Sequence, residues 1–109
     1  MLLYTVDYYQ DPSGRKPFRD WLYCLRDRVA IARITARLGR LELGNFGDCK
    51  FVGNGVRELR ISYGPGYRVY YGIHQQSIVL LLLGGDKRGQ KRDIDLAVQY
   101  WREHQERNK

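Results

Sequence analysis

Cysteine and histidine are scarce in this chain, two of each in 109 residues. Cys24 and Cys49 lie far apart and form no CxxC, so neither a zinc site nor a disulfide framework is signalled. His74 and His104 also lack metal-ligand spacing, and no carboxylate pair or Asp cluster is spaced for a cation. The expectation is a protein with no metal and no other cofactor. Long apolar runs are missing too. The longest, Ile78 to Leu83, is six residues, too short to span a bilayer. The opening "MLLYTVDYYQD" has no basic n-region and no extended apolar core, so no signal peptide is expected. A cytoplasmic protein without a membrane partner is the default. Internal repeats, linkers and low-complexity tracts are lacking, which leaves one domain over 1–109. Negative charge is in deficit, with 12 acidic residues against 19 basic ones and a net charge of +7.

What is present fits a packed globular chain rather than a disordered one: 43% of residues are apolar and 13% aromatic. The basic excess is mostly arginine, 14 against 5 lysines. Arginine's planar fork suits bidentate phosphate contact, whereas solubility alone could use lysine. An inert basic surface is the competing reading. The excess is shared, +3 over residues 1–55 and +4 over 56–109. Any binding surface therefore belongs to the fold and not to a basic tail.

Residues 2–8, "LLYTVDY", alternate and predict a first strand. "QDPSGRKP" breaks it, and Pro17 opens a helix whose Phe18, Trp21, Leu22 and Leu25 form one stripe. A second helix is expected from about Arg28 to Leu43, with Ile31, Ile34, Leu38 and Leu41 inward and Arg33, Arg37 and Arg40 on its other face. Residues 44–55 read as a glycine-rich connection. A hairpin, a strand over 77–84 and a helix from about Gln90 to Glu106 follow, the last with Ile94, Ala97, Val98 and Trp101 inward. The order β-α-α-β-β-β-α predicts an α+β fold: an antiparallel sheet of about four strands on an N-terminal helical pair, with a C-terminal helix.

The hairpin "GVRELRISYGPGYRVYY" carries the chemistry. With Gly64-Pro65-Gly66 as the turn, Tyr63 faces Tyr67, Ile61 faces Val69 and Leu59 faces Tyr71, an apolar set. On the other face Ser62 meets Arg68 and Arg60 meets Tyr70. Arg60, Arg68 and Tyr70 are thus expected on the sheet face away from the helices, with Arg57 at the rim. "GGDKRGQKRD" places Lys87, Arg88, Lys91 and Arg92 beyond the next strand, beside Arg68. A tyrosine among cations suits a base and its phosphate. Gly84-Gly85 and Gly89 either let amides approach an anion or simply end a strand. His74 is expected to be a surface residue.

"VRELRI…GPGYRVYY", an apolar strand and "LLLGGDKRGQKRDIDLA" together resemble the HigB-like toxins, or addiction-module killer proteins, of the RelE/ParE superfamily. The resemblance covers nearly the whole chain and implies the same small sheet with an N-terminal helical pair. It also implies a type II toxin, silenced by a cognate antitoxin, that cuts mRNA on the ribosome without a metal. In that chemistry the 2′-hydroxyl attacks the adjacent phosphate and leaves a 2′,3′-cyclic phosphate and a 5′-hydroxyl. By position, Arg68 matches the arginine on the scissile phosphate, Lys87 and Arg88 the basic pair after the last strand, and Arg60 a basic residue on the facing strand. RelE has a lysine where this chain has Glu58, and a tyrosine where it has Ile94. Proton transfer accordingly falls to Tyr70 or Lys87. Arg57, Arg88, Lys91 and Arg92 are the expected RNA contacts, and operator DNA would be bound only together with the antitoxin.

Two other functions fit the same chain. One is a ParE-like inhibitor of DNA gyrase that cleaves nothing, the other a non-catalytic nucleic-acid-binding module. The cluster of Arg60, Arg68 and Lys87 favours the nuclease, because a gyrase binder needs no phosphate-cleaving site.

Overall fold

A computed structural model describes residues 2–109. Its elements are β1 (Thr5–Tyr8), α1 (Pro17–Cys24), α2 (Arg28–Glu42), β2 (Cys49–Gly53), β3 (Val56–Ile61), β4 (Tyr67–His74), β5 (Ile78–Asp86), a 3-10 turn (Lys87–Gly89) and α3 (Gln90–Arg107). Pro17 opens α1, where its missing N–H costs nothing. Asp27 caps α2 by accepting from the Val29 and Ala30 amides.

The five strands form one mixed sheet in the order β1-β5-β4-β3-β2. This corrects the expected antiparallel four-stranded sheet in two ways. β1 runs parallel to β5 at one edge, and the helical pair carries the chain from β1 across to β2 at the other edge. Residues 49–53, expected to be connection, form the edge strand β2, antiparallel to β3. Its turn is Asn54-Gly55, with φ of 54° and 86°, the positive values that a two-residue hairpin loop demands.

Both faces of the sheet are covered. Phe18, Ile34 and Leu41 of the helical pair pack with Leu59, Val69, Tyr71, Val79 and Leu81. On the opposite face Ala97 and Trp101 of α3 pack with Val56, Tyr70, Leu80 and Leu82. The unbroken apolar run of β5 follows from this, since its alternate residues enter different cores. Two glycines admit the tryptophans. A Cβ at Gly84 would overlap the ring of Trp21, and one at Gly72 the ring of Trp101. The sheet backbone is thereby in direct contact with an indole on each side.

The β3–β4 hairpin differs in register from the expectation. Ile61 pairs with Tyr67, Leu59 with Val69, Arg60 with Arg68 and Glu58 with Tyr70. The loop is Ser62–Gly66, closed by the Gly66 amide donating to Tyr63 O and the Tyr63 amide to Ile61 O. Tyr63 is thus used in the turn and not in the ladder. The shift is by two residues, an even number, so every side chain keeps its predicted face. No helix among the described residues is long and apolar enough to cross a membrane.

Candidate nucleic-acid interface

The end of β5 lies beside the start of β4, pairing Tyr67 with Asp86 and Arg68 with Gly85. Lys87 follows at once, in the turn that leads to α3. Arg68 and Lys87 therefore meet around Gly66: a Cβ there would lie 3.4 Å from Arg68 Nη1 and 3.5 Å from Lys87 Cβ. The fold thus brings the Arg68 guanidinium and the base of the Lys87 side chain to the same turn. Asp86 shapes the turn by accepting from the Arg88 amide at 2.9 Å, and its carboxylate also binds the Arg88 guanidinium. That contact holds the Asp86 pKa below its ordinary value. Lys87 and Lys91 are exposed and carry no ion pair among the described residues.

The face on which Arg68 sits is closed, not open. α3 lies across it, and this corrects the expected solvent-facing group. Glu58 and Tyr70 are completely buried, and the Arg68 side chain keeps 12% of its exposure. Arg68 Nε stands 3.7 Å from Glu58 Oε1, while Nη1 donates to Gly66 O at 3.1 Å and Tyr67 O at 3.2 Å. Glu58 Oε2 accepts from Gln90 Nε2 at 2.7 Å. One carboxylate thus ties β3 to β4 and to the first residue of α3. Nη1 is held by the two carbonyls, Nε faces Glu58 without closing a hydrogen bond, and Nη2 has no hydrogen-bond partner among the described residues.

Tyr70 is removed from any bound chain by the same burial. Its hydroxyl closes no hydrogen bond among the described residues, and its pKa is pushed up by burial first and then by the nearby Glu58 charge. A buried phenol with a raised pKa is a poor proton donor. Of the two residues expected to move a proton, only Lys87 stands at the surface.

The remaining expected contacts divide. Arg60 shares a face with Arg68, but its guanidinium turns to Asp48, with Nη2 at 2.7 Å and Nε at 3.1 Å from Oδ1. That carboxylate raises its pKa. Arg57 points to the other side of the sheet, 4.5 Å over the ring of Phe51 and 5.8 Å over that of Phe46, so it is not brought to the group. Arg88 is paired to Asp86, and Arg92 Nε is 3.7 Å from Asp93 Oδ1. Asp93 is buried over Gly85, and burial raises its pKa. His74 is not a free surface residue, since its Nδ1 lies 3.2 Å from Nε2 of His104. No group of three or more His, Cys, Asp or Glu among the described residues could hold a metal.

Sequence reasoning missed that Glu58 is buried beneath Arg68 and that Gln90 joins it there. Glu58 stood in plain view as the one acid on a basic face, and a lone carboxylate among arginines is a candidate anchor. Gln90, 32 positions away in sequence, gave no local signal.

Comparison with known proteins places the chain. The family described as "Phage derived protein Gp49-like" matches residues 20–102. A protein of Haemophilus influenzae described only as uncharacterized is 50% identical over 80 residues, covering 73% of this chain and 81% of its own length.

Proposed function

The chain belongs to the Gp49-like family of phage-derived proteins, and we propose that it is the toxin of a type II toxin–antitoxin pair, a HigB-like member of the RelE/ParE superfamily. Its reaction is metal-independent cleavage of mRNA on the ribosome by 2′-hydroxyl attack. The observation that carries this reading is that Arg68, facing the buried Glu58, and Lys87, which has no ion pair among the described residues, come to the same turn at the β4–β5 end. Such a pair suits a phosphorane, whose extra negative charge preorganised cations stabilise more than they stabilise the ground state.

Arg68 offers to a phosphate oxygen its Nη2, which has no hydrogen-bond partner among the described residues, and Lys87 supplies a second charge from a flexible stem. An oriented 2′-hydroxyl is an intramolecular nucleophile, and the ribosome would supply the orientation. A weak base is tolerable in this scheme, because general base catalysis contributes only about 10²–10⁴-fold. The need for a 2′-hydroxyl makes RNA the substrate. The expected partners are the ribosome, mRNA and an antitoxin that silences the basic surface.

Induction in growing cells tests the reading. Transcript cleavage on ribosomes is expected from the wild type and not from Arg68→Lys, which keeps the charge but loses the fork. Gyrase-dependent DNA breaks with intact transcripts would identify a ParE-like toxin instead, and neither effect would leave a binding module.

A further inference from the structure

A cavity of about 270 Å³ opens between α2 and the end of β3, where Arg60 is paired across the ladder with Arg68. Arg33, Arg37, Arg40 and Arg60 line it, with Asp48 as its single carboxylate. The four guanidiniums are not equivalent. Arg37 is a structural clip, donating to Arg60 O at 2.7 Å, Phe46 O at 3.1 Å and Asp48 O at 3.3 Å. Arg33 is exposed and stacks 4.9 Å over the ring of Tyr63, whose hydroxyl donates to Asp27. Arg40 is exposed in the last turn of α2. Arg60 is held in the cavity by both of its contacts to Asp48 Oδ1. A carboxylate of the chain itself thus already sits where an external oxyanion would bind.

We infer that this cavity is an RNA phosphate subsite, taking the backbone of nucleotides that flank the one at Arg68. This rests on the RNA reading of the neighbouring site. Three features favour a phosphodiester over an acidic protein. Arg60 and Arg68 are direct cross-strand partners, about 5 Å apart at Cα, so the cavity and the Arg68 site lie at the same end of one hairpin, and a chain passing over that end would meet both. Of the residues lining the cavity, only Ala36 and Ile61 are apolar, too little for the apolar core that a protein interface buries, whereas guanidiniums match phosphate oxygens directly. Tyr63 beside Arg33 adds an aromatic face of the kind that single-stranded RNA uses. Arg33 and Arg40 grip the incoming phosphate, and Arg60 exchanges Asp48 for it.

The probe is a fluorescent RNA of about ten nucleotides, within the usual span of a single-strand site, with 2′-O-methyl groups throughout so that it cannot be cut. Affinity is measured by anisotropy over a range of salt and compared with that of a dinucleotide. Arg33→Gln/Arg40→Gln should weaken the long probe about fivefold, and more than it weakens the dinucleotide. The slope of log affinity against log salt should fall by about 0.7, one phosphate's worth for a single strand. Asp48→Asn should act in the opposite direction, tightening the long probe about two- to fivefold, a gain that misfolding cannot mimic. Unchanged affinity in both variants overturns the assignment. So does loss of polyglutamate binding with RNA affinity intact, which would make the cavity a carboxylate site for a protein. Because the probe is uncleavable, the result stands apart from the toxin test: a chain that cuts no transcript can still pass here, and an active toxin can fail.

Discussion

Arg68→Ala removes the cation that, among the described residues, pairs with the completely buried carboxylate of Glu58. Breaking a buried ion pair from one side costs about 3–5 kcal/mol, because the surviving charge is left uncompensated. Three details place this case at or below the lower end. Glu58 keeps its hydrogen bond from Gln90, the pair is separated by 3.7 Å, and Arg68 retains 12% of its exposure. The expected loss is about 2–3 kcal/mol, or about 10–20 °C in Tm for a chain of this size. Urea melts at neutral pH read it directly, as a lower midpoint at unchanged slope. Adding Glu58→Gln to Arg68→Ala removes the stranded charge and should restore at least half of the loss. If Arg68→Ala stays within about 0.5 kcal/mol of wild type, the usual range for a surface change, the bracing of Arg68 by Glu58 is refuted. The size of this effect also decides which variant is informative about chemistry. Arg68→Ala would lower toxicity through instability alone, so Arg68→Lys is the cleaner substitution.

The other predictions concern different parts of the molecule. Lys87→Ala should slow cleavage by about 10²–10³-fold without moving Tm by more than about 2 °C, since Lys87 is exposed and has no ion pair among the described residues; single-turnover rates on a minimal RNA check it. His104 has its pKa lowered, by burial first and then by His74 and Arg107 against an opposing Glu103. The folded chain therefore binds fewer protons than the unfolded one, and stability should fall as pH drops below about 6.5. Melting at pH 7.5 and 5.5 should show a smaller drop for His104→Gln, and an equal drop would contradict the assignment. Gly72→Ala should destabilise the fold by at least about 2 kcal/mol, because its methyl group would overlap Trp101; a wild-type urea midpoint would mean that α3 can shift freely.

Much of this architecture was legible because period-two alternation survives an even register error. Ile61 meets Tyr67 and not Val69, yet the arginines and apolar residues fall on the faces that counting along the strands assigns to them. Alternation cannot say what covers a face. The polar appearance of Glu58, Arg60, Arg68 and Tyr70 read as solvent, while α3 lies over it and buries Glu58 and Tyr70. The continuous apolar run of β5 was the available warning, since both its faces had to be packed. β2 was lost among glycines, although Asn54-Gly55 is a strong hairpin signal. The convergence of Arg68 and Lys87 was readable from strand order alone, because the end of one antiparallel strand must lie beside the start of its predecessor. The anchoring of Arg68 was not, because Gln90 reaches Glu58 only once α3 has docked.

The central claim is that Arg68 and Lys87 stabilise 2′-hydroxyl attack on an RNA phosphate. Its most direct measurement is the end-group chemistry of RNA cut by the purified protein on programmed ribosomes, using a transcript with and without a single 2′-deoxy nucleotide before the cut. The account predicts a 2′,3′-cyclic phosphate on the upstream fragment, a 5′-hydroxyl on the downstream one, and no cut at the deoxy position. A 5′-phosphate, or unimpaired cleavage of the deoxy transcript, would contradict it.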